Sequence, residues 1–198
     1  STVTMQAGNG SNAAFDDITF VDSAAVRLHS SAASAGDLYI KASTDGAVGG
    51  DLSITATTGN ITQGAAVAVT GTTTLKATTS NDITLDNTSN NFQGAVKITT
   101  GNDVTLVDAN AIDLGVSAVS GTYAVTATSG NITDSGDLTI TGAATFITVA
   151  GGSDITLDSS GNAFAAAVTM RAGDGTNAAF GDITFVDSAA VKLHTSAG

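Results

Sequence analysis

Along most of this chain, apolar and polar residues alternate in short runs. The clearest unit is Asp, apolar, Thr, apolar. It occurs as DITF at 17–20, DITL at 82–85, DVTL at 103–106, DLTI at 137–140, DITL at 154–157 and DITF at 182–185. DLYI at 37–40 and DLSI at 51–54 are variants. Each unit sets two apolar residues two positions apart, on one side of a strand, with the Thr on the other. VTM at 3–5, VRL at 26–28, VAV at 67–69, VKI at 96–98, IDL at 112–114 and VKL at 191–193 keep the alternation without the Asp. The links between runs contain GN, GD, NN or DN, which favour turns. The pattern predicts an all-β chain of many short strands.

Longer repeats lie above these units. LSITATTGNIT at 52–62 returns as YAVTATSGNIT at 123–133, displaced by 71 positions. NDITLDNTSNNF at 81–92 returns as SDITLDSSGNAF at 153–164, and AVKI at 95–98 as AVTM at 167–170, both displaced by 72. LVDANAIDL at 106–114 matches FVDSAAVKL at 185–193 at 79, the extra residues falling in the loop GDGTNAAFG at 173–181. Residues 3–32 and 168–197 are the same thirty positions displaced by 165, with six differences, none at an apolar position. The chain is therefore one continuous solenoid fragment, 1–198: a 165-residue superrepeat of two unequal halves (3–167) and the start of the next (168–198).

Insertions confined to loops while the strands keep their order are the mark of a solenoid. They favour a right-handed parallel β-helix, in which coils stack on one another, over antiparallel β-sandwich repeats, which close after about 7–9 strands. At about 20–25 residues per coil the chain makes about eight or nine coils, a rod about 40 Å long. Val, Ile, Leu and Phe form the inner ladders. Phe15, Phe92, Phe164 and Phe180 sit in or beside loops and are expected to plug those loops onto the rod. Asn60, Asn131 and the pair Asn90-Asn91 are placed to stack as amide ladders in the turns.

Composition narrows the function. Six Lys and Arg face eighteen Asp, for a net charge of -12, so neither nucleic acid nor an anionic membrane is an attracted partner. No apolar run is long enough to span a bilayer. The lack of Cys suits a chain exported unfolded, and the start in mid-pattern, without Met, suits a piece of something longer.

Taken together, units such as NDITLDNTSNNFQGAVKITTGNDVTLVDANAIDLGVSAVSGTYAVTATSGNITDSG resemble the repeat region of giant bacterial surface and secreted proteins. These are the filamentous-haemagglutinin-like exoproteins and β-strand-repeat adhesins. The resemblance covers nearly the whole chain. It implies a right-handed parallel β-helix shaft, exported across the outer membrane, with an adhesive, fibrous or spacer role and an extracellular or cell-surface location.

Catalysis is not expected. His29 and His194 occupy the same slot of the repeat, so His is a copied surface feature rather than one member of a triad. Glu is absent, and Asp recurs as the residue that opens strands, where its side chain caps a turn. Oxygen-rich loops are the sharper candidate. GNGSN at 8–12 and GDGTN at 173–177 resemble fragments of calcium loops, which makes Asn9, Asp17, Asp174 and Asp182 the calcium candidates. The full calcium-roll repeat is missing, so no cofactor is required, with calcium as the one candidate. The same loops, through Gly8, Asn9, Gly10, Asn12, Gly173, Asp174, Gly175 and Asn177, are the candidate binding surface. TxT pairs at 55–57 and 126–128 evoke ice binding, but the outward residues differ from unit to unit. The expected role is a structural shaft or filament, whose partners are neighbouring repeats or identical chains, end to end or side by side. The alternative is an adhesin module for carbohydrate or a cell-surface receptor. A binding face would cluster aromatics, and these are only 5% of the chain.

Overall fold

The alternation predicted from the sequence becomes strand pairing that is parallel throughout. A computed structural model describes residues 50–175 and 179–191, together with β1 (Val3–Met5), β2 (Ile18–Asp22), β3 (Val26–His29), β4 (Asp37–Ile40) and β5 (Ala47–Val48). Among these residues there is no helix, and the one antiparallel contact is an isolated bridge between Gly173 and Phe180. The fold is a parallel β-solenoid, which excludes the antiparallel sandwich.

Each coil carries up to three strands. After β6 (Leu52–Ala56) come β7 (Ile61–Gln63), β8 (Ala68–Val69) and β9 (Thr73–Lys76), then β10 (Ile83–Leu85), β11 (Asn91–Phe92) and β12 (Val96–Gly101). The next coil has β13 (Val104–Asp108) and a long β14 (Ile112–Val119) that spans the second and third positions. Then follow β15 (Tyr123–Ala127), β16 (Ile132–Asp134) and β17 (Leu138–Ile140), and β18 (Ala144–Thr148), β19 (Ile155–Leu157) and β20 (Ala163–Phe164). The last described coil holds β21 (Val168–Arg171) and β22 (Ile183–Phe185).

Three ladders run along the axis. First strands stack as β7, β10, β13, β15, β18 and β21. Third strands stack as β6, β9, β12, the C-terminal half of β14, β17 and β20. Second strands stack as β5, β8 and β11, and again as the N-terminal half of β14, β16, β19 and β22. The described residues make about six turns, where eight or nine were expected of the whole chain. Two features bear on the count. At the N-terminal end the order in the first sheet is β1-β4-β3-β7, so β3 and β4 do not add coils in sequence order. At the other end, loop 172–182 lengthens the path from β21 to β22.

The register lines up like residues. Ile61, Ile83, Val104, Tyr123, Ala144 and Val168 form one inner column, and Leu85, Leu106, Val125, Phe146 and Met170 another. Within the first column, small Ala144 follows large Tyr123, which keeps the narrow core filled without strain. Most of the described aromatics lie inside or against the core. Tyr123, Phe146, Phe164 and Phe185 touch in series, with ring centroids 5.8, 6.1 and 5.2 Å apart. Phe92 and Phe164 are thus core residues of β11 and β20, not loop plugs, because their side chains follow the inward phase of those strands. Phe180 is exposed rather than folded in, and Phe15 lies outside the described residues. Gly94 stacks on Gly71 in the turn before the third strands, where a Cβ would run into the Gly71 carbonyl.

Candidate functional site

The two loops singled out from the sequence fall unevenly. Gly8, Asn9, Gly10, Asn12, Asp17 and Asn177 lie outside the described residues. Gly173, Asp174, Gly175 and Asp182 are described. Gly173 (φ 97°) and Gly175 (φ 73°) adopt the left-handed backbone that glycine favours. The Gly173 amide donates to Thr148 Oγ1 at 2.8 Å, and that buried hydroxyl donates to Ser153 O at 3.0 Å. Thr148 thus pins the base of the loop to the coil below. Asp174 is exposed, with Oδ2 close to Gly151. Asp182 is exposed just before β22, and its amide donates to Asp154 Oδ1 at 2.8 Å. Among the described residues, no three His, Cys, Asp or Glu side chains gather so as to hold a metal ion.

The Asp that opens each unit acts differently from a turn cap. Among the described residues, Asp51, Asp82, Asp103, Asp137 and Asp154 accept from the backbone of the next coil. The Asp82 amide donates to Asn60 Oδ1 (2.9 Å), the Asp103 amide to Asp82 Oδ1 (3.2 Å) and the Thr122 amide to Asp103 Oδ1 (2.7 Å). One position on, the Asp154 amide donates to Asn131 Oδ1 (2.9 Å), and Asp182 continues the row on Asp154. Before the third strands the Thr72 amide donates to Asp51 Oδ1 (2.7 Å). The motif therefore clips coil to coil along the edges of the ladders, where a regular backbone partner runs out. Asn60 and Asn131 do stack in the turns, though largely onto backbone and Asp rather than onto amides. Asn60 meets one amide, that of Asn81, at 3.4 Å.

Buried polar residues hold the corners. Asn90 is sealed in the core. Its Oδ1 accepts from the Val67 amide (2.9 Å) and Gln63 Nε2 (2.7 Å), and its Nδ2 donates to Gln63 Oε1, Leu85 O and Val107 O (3.0–3.2 Å). Asn162 is equally buried, taking the Leu138 amide (2.8 Å) and donating to Asp134 Oδ2 (2.7 Å). Asp108 stands where the second ladder is interrupted between β11 and β14. Its carboxylate accepts from the Phe92 and Asn110 amides, both at 2.7 Å. Burial pushes its pKa above the ordinary carboxylate value, against the pull of those two bonds.

A shallow groove of about 370 Å³ opens at the same interruption, lined by Asn91, Gln93, Asn110, Asp113 and Thr133 around Phe92. Asp113 Oδ1 is buried without a hydrogen-bond partner, as are Thr73 Oγ1 and the Tyr123 hydroxyl. Tyr123 is fully enclosed. The Ser117 hydroxyl beside it donates to Gly115 O and accepts from the Ile98 amide, and burial raises the phenol's pKa. Sequence reasoning missed Asn162, Asp108, Gln63 and Asp134 as corner residues, although the repeated NN/GN and LVD/FVD strings were their signal.

In comparisons with known proteins, a family model described as "Repeats of unknown function (DUF5649)" matches residues 31–99 and again 101–171. No curated protein matches the chain, and no solved structure does.

Proposed function

We propose a mechanical role for this chain, which belongs to the DUF5649 repeat family: it is a shaft segment of a long repetitive extracellular bacterial protein, acting as filament or spacer. The observation that carries the reading is axial continuity. Hydrogen-bonded ladders, inner apolar columns and Asp clips all run along one axis, so each coil is a template for the next. Ile18 and Ile183 are the same position of the superrepeat. Ile18, covered by β6, is 2% exposed, and Ile183, at the end of its stack, is 46% exposed. Another coil, from a neighbouring repeat or an identical chain, would cover it. The net negative charge keeps such a rod soluble and apart from anionic surfaces.

Electron microscopy and fibre diffraction of the purified protein test this. Straight rods of uniform width with an axial reflection near 4.8 Å are expected. Compact particles with no axial order would overturn it.

A further inference from the structure

Equivalent segments of the two matched repeats occupy different faces of the rod. β6, a third strand, has β15, a first strand, as its counterpart 71 residues on. β7, a first strand, corresponds to β16, a second strand. At 72 residues, β10, β11 and β12 (first, second, third) correspond to β19, β20 and β21 (second, third, first). All five pairs advance by one position. The first-strand ladder counts the distance: from β10 through β13 and β15 to β18 is three coils, and β19 is one face further.

The side-chain clips move with the strands. Asp82 on Asn60 becomes Asp154 on Asn131, and Asp103 on Asp82 becomes Asp182 on Asp154. The Val67 amide on Asn90 becomes the Leu138 amide on Asn162, at 2.9 and 2.8 Å. Gln63, which takes the Asn87 amide and the Asn90 side chain, is replaced by Asp134, which takes the Ser159 amide and the Asn162 side chain. The Phe92 and Asn110 amides on Asp108 become the Phe164 and Ala189 amides on Asp187. A whole network recurs, rotated by one face.

We infer that the two matched repeats are related by a screw of three coils and one face, so that the same surface of the repeat faces a different side of the rod in each. A repeat longer or shorter than a whole number of coils forces this, and the three faces accept it because each alternates apolar-in and polar-out with the same period. In an array of such repeats a surface patch is shown on different sides of the rod in turn. That last consequence rests on the filament reading; the screw itself does not.

The chain has no Cys, so spin labels can be placed at will. Thr84 and Thr156 are equivalent by sequence, whereas Thr84, Thr105, Ala124 and Thr145 are stacked in register on one face. Two double variants, Thr84→Cys with Thr145→Cys and Thr84→Cys with Thr156→Cys, would be labelled and measured by dipolar electron paramagnetic resonance, with circular dichroism confirming the native strand spectrum. The stacked pair is expected near about 15 Å, three coils apart, and the sequence-equivalent pair longer by about 5 Å or more. If Thr84–Thr156 is as short as Thr84–Thr145 or shorter, the repeats share a face and the inference fails, while rods seen by microscopy would leave the filament reading standing.

Discussion

Asp108 and Asp187 are the same residue of the repeat with the same two backbone partners, and they live in different surroundings. Asp108 is 0% exposed and takes both amides at 2.7 Å. Asp187, near the end of the stack, is half-buried and takes both at 3.3 Å. One is covered by β15 and the coils beyond it, the other is not. The difference teaches that a clip in a solenoid gains its strength from the coil above it, through dehydration of the groups it joins.

The largest effect expected from this contrast comes from removing each carboxylate. Asp108→Ala leaves two buried amides without an acceptor and should cost about 2–4 kcal/mol; Asp187→Ala, where water replaces the carboxylate, should cost at most about 1 kcal/mol. Urea unfolding of both variants checks this, and equal losses would break the comparison. A second pair sharpens it. Asn90→Ala orphans the Val67 amide and takes one partner from Gln63, and Asn162→Ala orphans the Leu138 amide and takes one partner from Asp134. Each should lose about 2–3 kcal/mol by the same measurement, because both corners are fully covered, whereas of the two Asp only Asp108 is.

Smaller and opposite in sign is the effect of the unpartnered hydroxyls, one in each matched repeat. Thr73→Val and Tyr123→Phe remove a buried polar atom that has no partner. Each should raise the unfolding midpoint, by about 1 kcal/mol in stability; a loss in both would mean these hydroxyls are bonded after all. The smallest effect is in pH. The folded-state pKa of Asp108 is raised, so the folded chain binds its proton more readily than the unfolded one, and the contribution of Asp108 to stability grows as pH falls through that raised value towards 3.8. Wild type should therefore gain on Asp108→Asn between neutral and mildly acidic pH.

Much of the fold was legible in short strings. ITL at 83–85 and 155–157 shows its inward Ile and Leu directly, and the loss of register at LVDANAIDL versus FVDSAAVKL marked loop 173–181 as the place where length is absorbed. The corners were less legible. Asn90 and Asn162 look like ordinary turn formers in sequence, and nothing local separates them from half-buried Asn91, because their partners are side chains about 27 residues away. The calcium candidates show the same limit. Strings of Gly, Asp and Asn mark a loop, but whether their oxygens converge depends on how that loop is pinned, here by Thr148 from the coil below.

By itself the sequence determined that the chain is all-β, that it repeats, and which residues point inward, since a two-residue period and a self-match need no partner to be seen. Tertiary structure alone decided the number of coils, the inter-coil use of Asp and the face on which each repeat lands. Those depend on how many residues close one turn. That number is set by corners, loops and the stacking of one coil on the next, none of which any short stretch of sequence contains.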